Sequence, residues 1–183
     1  MYRVLVLSLE KDLERRRHIT KVCNDLNLNF EFFDAKTPDD LTDYYKKEYF
    51  SNIDIFNYPK LNHDAILATF LSHLELLAKI YFEKTHTLIL EDDLVPLKEF
   101  DFENIDFNSF DILQLMTEVS CCCQFVNWQS AGLIYNYLIK NKPFQAFDWE
   151  LHRLRDKFNI QTVSTPVFKQ SEEFVSNLAP NGY

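Results

Sequence analysis

The run Val4-Leu5-Val6-Leu7 is apolar and short, and it predicts a buried first strand over 4–7. Residues 11–26 carry Ile19, Val22, Cys23 and Leu26 at i, i+3, i+4 and i+7, one apolar face of a helix. A second strand is expected at 30–33, ending at Asp34-Ala35, and Pro38 with Asp39 and Asp40 signals a turn. The Tyr-rich stretch 41–59 is weakly periodic and reads as a surface excursion. Over 63–84, Ile66, Phe70, Leu74, Leu77 and Tyr81, flanked by Leu67, Leu71 and Ala78, trace the wide apolar arc of a long helix. Strands are expected at 88–90 and 111–116, helices at 130–139 and 148–158, and an extended segment at 160–168 broken by Pro166. The tail from Ser171 is polar. Strands alternating with helices imply an α/β fold, and without a repeat or linker residues 1–183 are expected to form one domain.

Composition narrows the function. The net charge is −9 and the only basic run is Arg15-Arg16-Arg17, which argues against nucleic acid as a partner and allows at most peripheral membrane contact. No stretch reads as a signal peptide or as a membrane span, so the expected address is cytoplasmic. Cys23 and the consecutive Cys121-Cys122-Cys123 lack the spacing of a zinc motif and read as reduced, packed thiols. The two glycines, Gly132 and Gly182, are too few for a Walker loop, a dinucleotide-binding turn or a nucleophile elbow. A phosphate-bearing ligand must therefore be held by a metal, by arginines or by a helix N-terminus.

Several residues are candidates for such chemistry. Glu91-Asp92-Asp93 directly follow the apolar run Leu88-Ile89-Leu90, so they point into the crevice at the carboxyl end of a strand. Three neighbouring carboxylates repel one another, a cost that Mg²⁺ or Mn²⁺ with a ligand's phosphates offsets; a solvated turn is the alternative. On the helical wheel Arg15 and Arg16 lie about 40° and 60° to either side of Ile19, whereas Arg17 lies about 160° away. The first two therefore border the inward stripe and can meet a diphosphate, or can form local ion pairs. His73 falls within the apolar arc of its helix and Ser72 about 100° round from it, so they are no dyad; His73 reads as a hydrogen-bonded core residue. Asp148 and Glu150 flank Trp149 and suit a general base beside an aromatic platform, or equally a helix start with Asp148 as N-cap.

Three blocks together resemble the family 25 glycosyltransferases, the lipooligosaccharide-biosynthesis and collagen-type galactosyltransferase group. They are Val4 through Leu9 with Arg15-Arg16 and Phe32-Phe33-Asp34-Ala35, then Leu71-Ser72-His73-Leu74, then Leu88-Ile89-Leu90-Glu91-Asp92-Asp93. Ser130, Asp148 and the segment 165–170 extend the likeness. The resemblance implies a GT-A-like, Rossmann-like α/β sheet flanked by helices that binds a nucleotide sugar. It implies inverting transfer of a hexose, galactose first, from a UDP-sugar to a glycan or glycolipid acceptor such as lipooligosaccharide, at the cytosolic face of the inner membrane. Carried across, Asp93, with Asp92, would ligate Mn²⁺ or Mg²⁺ in a DxD-like element. Glu91 and Asp92 would lie near the ribose or sugar, with Ser8, Arg15, Arg16 and Asp34 on the nucleotide side. Asp148, then Glu150, would be the base. Where the family often has Gly-Cys this chain has Ala68 and Thr69, and the region 118–129 is short. Those departures support an alternative, a catalytically reduced protein that only binds the nucleotide sugar. The acids alone would also suit a metal-dependent phosphohydrolase.

Overall fold

The computed structural model describes residues 1–52, 62–117 and 120–174. Strand β1 (Arg3–Ser8) leads into helix α1 (Leu13–Asp25), and strand β2 (Phe30–Asp34) returns parallel beside β1. A 3₁₀ turn at Pro38–Asp40 and helix α2 (Asp43–Glu48) precede the long helix α3 (His63–Glu83). Strand β3 (Thr87–Glu91) pairs parallel with β1 on its other side, and the short β4 (Leu94–Pro96) follows. Strands β5 (Ile112–Gln114) and β6 (Cys123–Val126), helices α4 (Trp128–Asn141) and α5 (Phe147–Arg153), and strands β7 (Ile160–Thr162) and β8 (Phe168–Gln170) complete the order.

The main sheet runs β2-β1-β3-β6-β5-β7, and β6 is antiparallel to both of its neighbours. β4 and β8 form a separate antiparallel ribbon. The inner strands of the sheet serve two cores, as the two-residue period of a strand requires. Leu5, Leu7, Ile89 and Val126 face α3, α4 and α5, while Val4, Val6, Leu88, Leu90 and Phe125 join Ile19, Val22 and Cys23 of α1 on the other side.

Helix α3 holds the first of these cores together. Its Asn62 cap accepts a hydrogen bond from the Ala65 N–H at 3.2 Å, and Lys84 ends it in a left-handed conformation. Ile66, Phe70, Leu71, Leu74, Leu77 and Ile80 are all buried, each side chain adding about 1.5–3 kcal/mol of apolar burial. Among the described residues α3 is the one helix long and apolar enough to cross a bilayer; here it packs under the sheet as a core helix, with 61% of its apolar window buried.

Other expectations shift. The stretch from 41 is no simple surface excursion, because Leu41 and Phe50 are buried and α2 lies between them; residues 53–59 of it fall outside the described part. The predicted helix 148–158 is α5 followed by a 3₁₀ turn at Leu154–Asp156, with Ala146 rather than Asp148 at the N-cap. β4 and β6 were not anticipated. The sequence Cys123-Gln124-Phe125-Val126 gave β6 no alternating signature, because both of its faces are buried.

Gly132 on α4 meets α3 so closely that a Cβ there would lie 2.3 Å from the Tyr81 ring. Gly132→Val should therefore destabilise the fold by about 1–3 kcal/mol through overpacking. In a Tyr81→Ala background most of that cost should vanish; denaturant melts of the two singles and the double check it.

Candidate active site

Parallel pairing brings three strand ends to one edge: Ser8 is in register with Asp34, and Leu7 with Glu91. A cavity of about 290 Å³ opens there, the small end of the range for ligand sites. Its wall includes Ser8, Lys11, Arg15, Lys36, Ser72, Glu91, Asp92 and Asp93.

Asp92 is anchored on both oxygens. Ser8 Oγ donates to Oδ2 at 2.6 Å and Arg15 Nη1 donates to Oδ1 at 2.9 Å. The same Arg15 nitrogen reaches Asp93 Oδ2 at 3.3 Å, and Nε lies 3.5 Å from Asp12. Arg15, Asp92 and Asp93 are all buried. Asp93 Oδ1 is buried without a hydrogen-bond partner among the described residues. Burial, together with the charge of Glu91, pushes the Asp93 carboxyl up to about 6, against the pull of Arg15. A hard divalent ion commonly takes one or two carboxylates and fills the rest of its shell with phosphate and water. Asp93 Oδ1 fits that requirement. Asp92, also expected on the metal, has both oxygens committed to Ser8 and Arg15.

Arg16 is turned differently from Arg15. Its guanidinium donates to the carbonyls of Ser8 and Leu9, each at 3.2 Å, pairs with Asp34 and lies over the Phe32 ring. It therefore straps the loop after β1; neither Arg16 nor Asp34 is among the residues that line the cavity. Arg17 is exposed. Ser72 stitches the floor, donating to Ala68 O and accepting from Lys36 N–H, each at 2.8 Å. Neither Lys11 nor Lys36 stood out in the sequence, since a single lysine in a turn carries no pattern; Lys36 pairs with Glu75 at 3.0 Å.

Behind Glu91 lies a second polar group. His73 Nε2 is 3.4 Å from Glu91 Oε1 and 3.3 Å from Cys121 Sγ, and its ring stacks on Phe147. Burial raises the Glu91 carboxyl, but the His73 contact outweighs it and holds the group below its ordinary range. Asp148, at the start of α5, is hydrogen-bonded to Cys121; burial and the Glu91 charge raise its carboxyl despite that bond. Glu150 is elsewhere in role. It is fully buried, with one oxygen on the Phe144 N–H at 2.7 Å and the other on Arg153 at 2.6 Å. Glu150 is not among the residues that line the cavity, and with these partners its carboxylate holds the α5 entry rather than a substrate.

The Asp93 arrangement has a measurable cost. Its carboxyl is raised from 3.8 to about 6, so the folded chain keeps a proton that the unfolded chain releases. Stability is unaffected below the lower value, falls as pH rises between the two, and stays lowered above about 6. Asp93→Asn should therefore raise stability by about 1–3 kcal/mol near pH 7.5 and leave it almost unchanged near pH 4, read by denaturant melts at both.

The sequence profile of the family described as Glycosyltransferase family 25 (LPS biosynthesis protein) matches residues 1–159. A Haemophilus influenzae protein named "Putative glycosyltransferase" is 34% identical over 118 residues, covering 63% of this chain and 41% of that protein. The match thus spans about two-fifths of that relative's length. Among solved structures, the galactosyltransferase LgtC in complex with donor and acceptor sugar analogues superposes with a TM-score of 0.48. It is 7% identical, over 87% of this chain and 72% of the other. With most of its length matched, the chain belongs to glycosyltransferase family 25.

Proposed function

We propose that this chain is an inverting, metal-dependent hexosyltransferase that uses a UDP-sugar, UDP-galactose first, as donor and a glycan or glycolipid acceptor of the lipooligosaccharide type, working in the cytoplasm at the inner membrane face. The observation that carries the reading is the free Oδ1 of Asp93, buried in the wall of a cavity at the carboxyl ends of β1, β2 and β3. Family membership supports the transferase class.

In this reading Asp93 holds Mn²⁺ or Mg²⁺, which when bound neutralises the charge gathering on the departing diphosphate. Ser8 and Arg15 keep Asp92 fixed beside it, and Lys11 supplies further positive charge at the cavity edge. Glu91 faces the ribose or sugar hydroxyls, and Arg16 with Asp34 shapes the nucleotide side. Asp148 is the base. It accepts the proton of the acceptor hydroxyl as that oxygen forms its bond to the anomeric carbon, while the bond to the diphosphate breaks and its electron pair leaves with the phosphate. Its raised carboxyl makes Asp148 a stronger base than an ordinary carboxylate.

A second reading is donor binding without transfer. It is favoured by the tie between Asp148 and Cys121, which partly withdraws the base.

Calorimetry with UDP-galactose and Mn²⁺, followed by turnover with a lipooligosaccharide acceptor, tests both. Donor at 100 times its Kd should add about 2.7 kcal/mol of stability. Asp93→Asn is expected to lose metal-dependent donor binding. Asp148→Asn should keep donor binding and lose about 10²–10⁴-fold in kcat. Absence of any donor binding in the wild type rejects the proposal; binding without turnover selects the second reading. Phosphate release with the glycosidic bond intact would point to a phosphohydrolase.

A further inference from the structure

We propose that His73, Glu91 and Cys121, with water as the fourth ligand, form a second cation site in this chain, one that takes a borderline-soft divalent ion such as Zn²⁺. It is separate from the carboxylate Asp93.

The geometry points this way. The donor atoms of His73, Glu91 and Cys121 lie within 4.8 Å of one another, the one such group of three among the described residues. The separations are 3.4 Å from Nε2 to Oε1, 3.3 Å from Nε2 to Sγ and 3.7 Å from Sγ to Oε1. Tetrahedral zinc, with bonds of about 2.0–2.1 Å to nitrogen or oxygen and about 2.3 Å to sulfur, spaces adjacent ligand atoms by about 3.3–3.6 Å. The three edges therefore match one face of such a tetrahedron to within a few tenths of an ångström. As a hydrogen bond, the 3.4 Å contact between imidazole and carboxylate is long, since an N–H donor prefers about 2.9–3.0 Å from its acceptor.

The three donors come from α3, the end of β3 and the segment before β6. Stacking on Phe147 at a 4.4 Å centroid separation and 6° holds the His73 ring with Nε2 toward the other two. Glu91 is partly exposed to the cavity, which gives an ion a way in. Ligand chemistry separates the two sites: a thiolate and an imidazole select zinc over magnesium or manganese, whereas Asp93 offers only oxygen.

Filling this site would occupy Glu91, the carboxyl that the proposed reaction turns to the ribose or sugar hydroxyls. Zinc is then an inhibitor, and that consequence alone rests on the reading above.

The test is cobalt substitution of the metal-stripped full chain, followed by absorption spectroscopy. Wild type, Cys23→Ser and Asp93→Asn should each bind one Co²⁺ with the visible bands of a tetrahedral ion and a thiolate-to-cobalt charge-transfer band. Zinc should bleach both. Cys121→Ser should lose the charge-transfer band, and Glu91→Gln should weaken cobalt binding at least tenfold with the fold intact by circular dichroism. No tetrahedral spectrum in the wild type overturns the site, as does a charge-transfer band that survives Cys121→Ser. If Cys121→Ser fails to fold, unchanged cobalt affinity in Glu91→Gln overturns it equally. Because Asp93→Asn leaves this spectrum in place, failure of the donor reading and failure of this site give different results.

Discussion

The buried pairing of Arg15 with Asp92, with Ser8 on the other carboxylate oxygen, is the constraint around which the candidate active site is arranged. It ties helix α1 to the ends of β1 and β3. Two charges withdrawn from water cost several kcal/mol each, and only tight, fully bonded geometry repays that cost. Asp92 meets this condition. Removing either partner would leave a buried, uncompensated charge, a loss of about 3–5 kcal/mol in comparable pairs. The turn after β3 is therefore fixed before any ligand arrives.

That anchoring divides the labour among three consecutive acids. Asp92 is spent on the scaffold, Asp93 is left with one uncommitted oxygen, and Glu91 turns to His73 and Cys121. The division follows the end of the strand: Glu91 is the last residue of β3, whereas Asp92 and Asp93 lie in the turn after it and both face Arg15. The electrostatic consequences are opposite: Asp93 is held above the ordinary carboxylate range by burial and like charge, whereas the His73 contact brings Glu91 below it. A site that is destabilised when empty is one that gains most from a cation, the usual exchange of stability for function.

Much of the donor side was legible in the sequence. The wheel positions of Arg15, Arg16 and Arg17 separated the inward pair from the solvent-facing residue, and the strand before Glu91-Asp92-Asp93 located them at a sheet edge. The wheel could not tell Arg15 from Arg16. One enters the acidic site and the other straps Ser8 and Leu9, a difference set by which neighbours each guanidinium finds. Glu150 shows the same limit: from spacing it equals Asp148 as a base, but Arg153 and the Phe144 N–H claim its oxygens.

The sequence by itself determined the elements whose periodicity is strong, namely β1, α1, β3 and α3, along with the identity of the acids at the crevice. Apolar period and strand-end position are local properties, and a single chain segment carries them. Tertiary structure alone decided the antiparallel insertion of β6, the commitment of each carboxylate and the convergence of His73, Glu91 and Cys121. Those three residues are far apart along the chain and share no motif. Only the pairing of β3 with β6, and the packing of α3 and α5 on the same side, brings their donor atoms together.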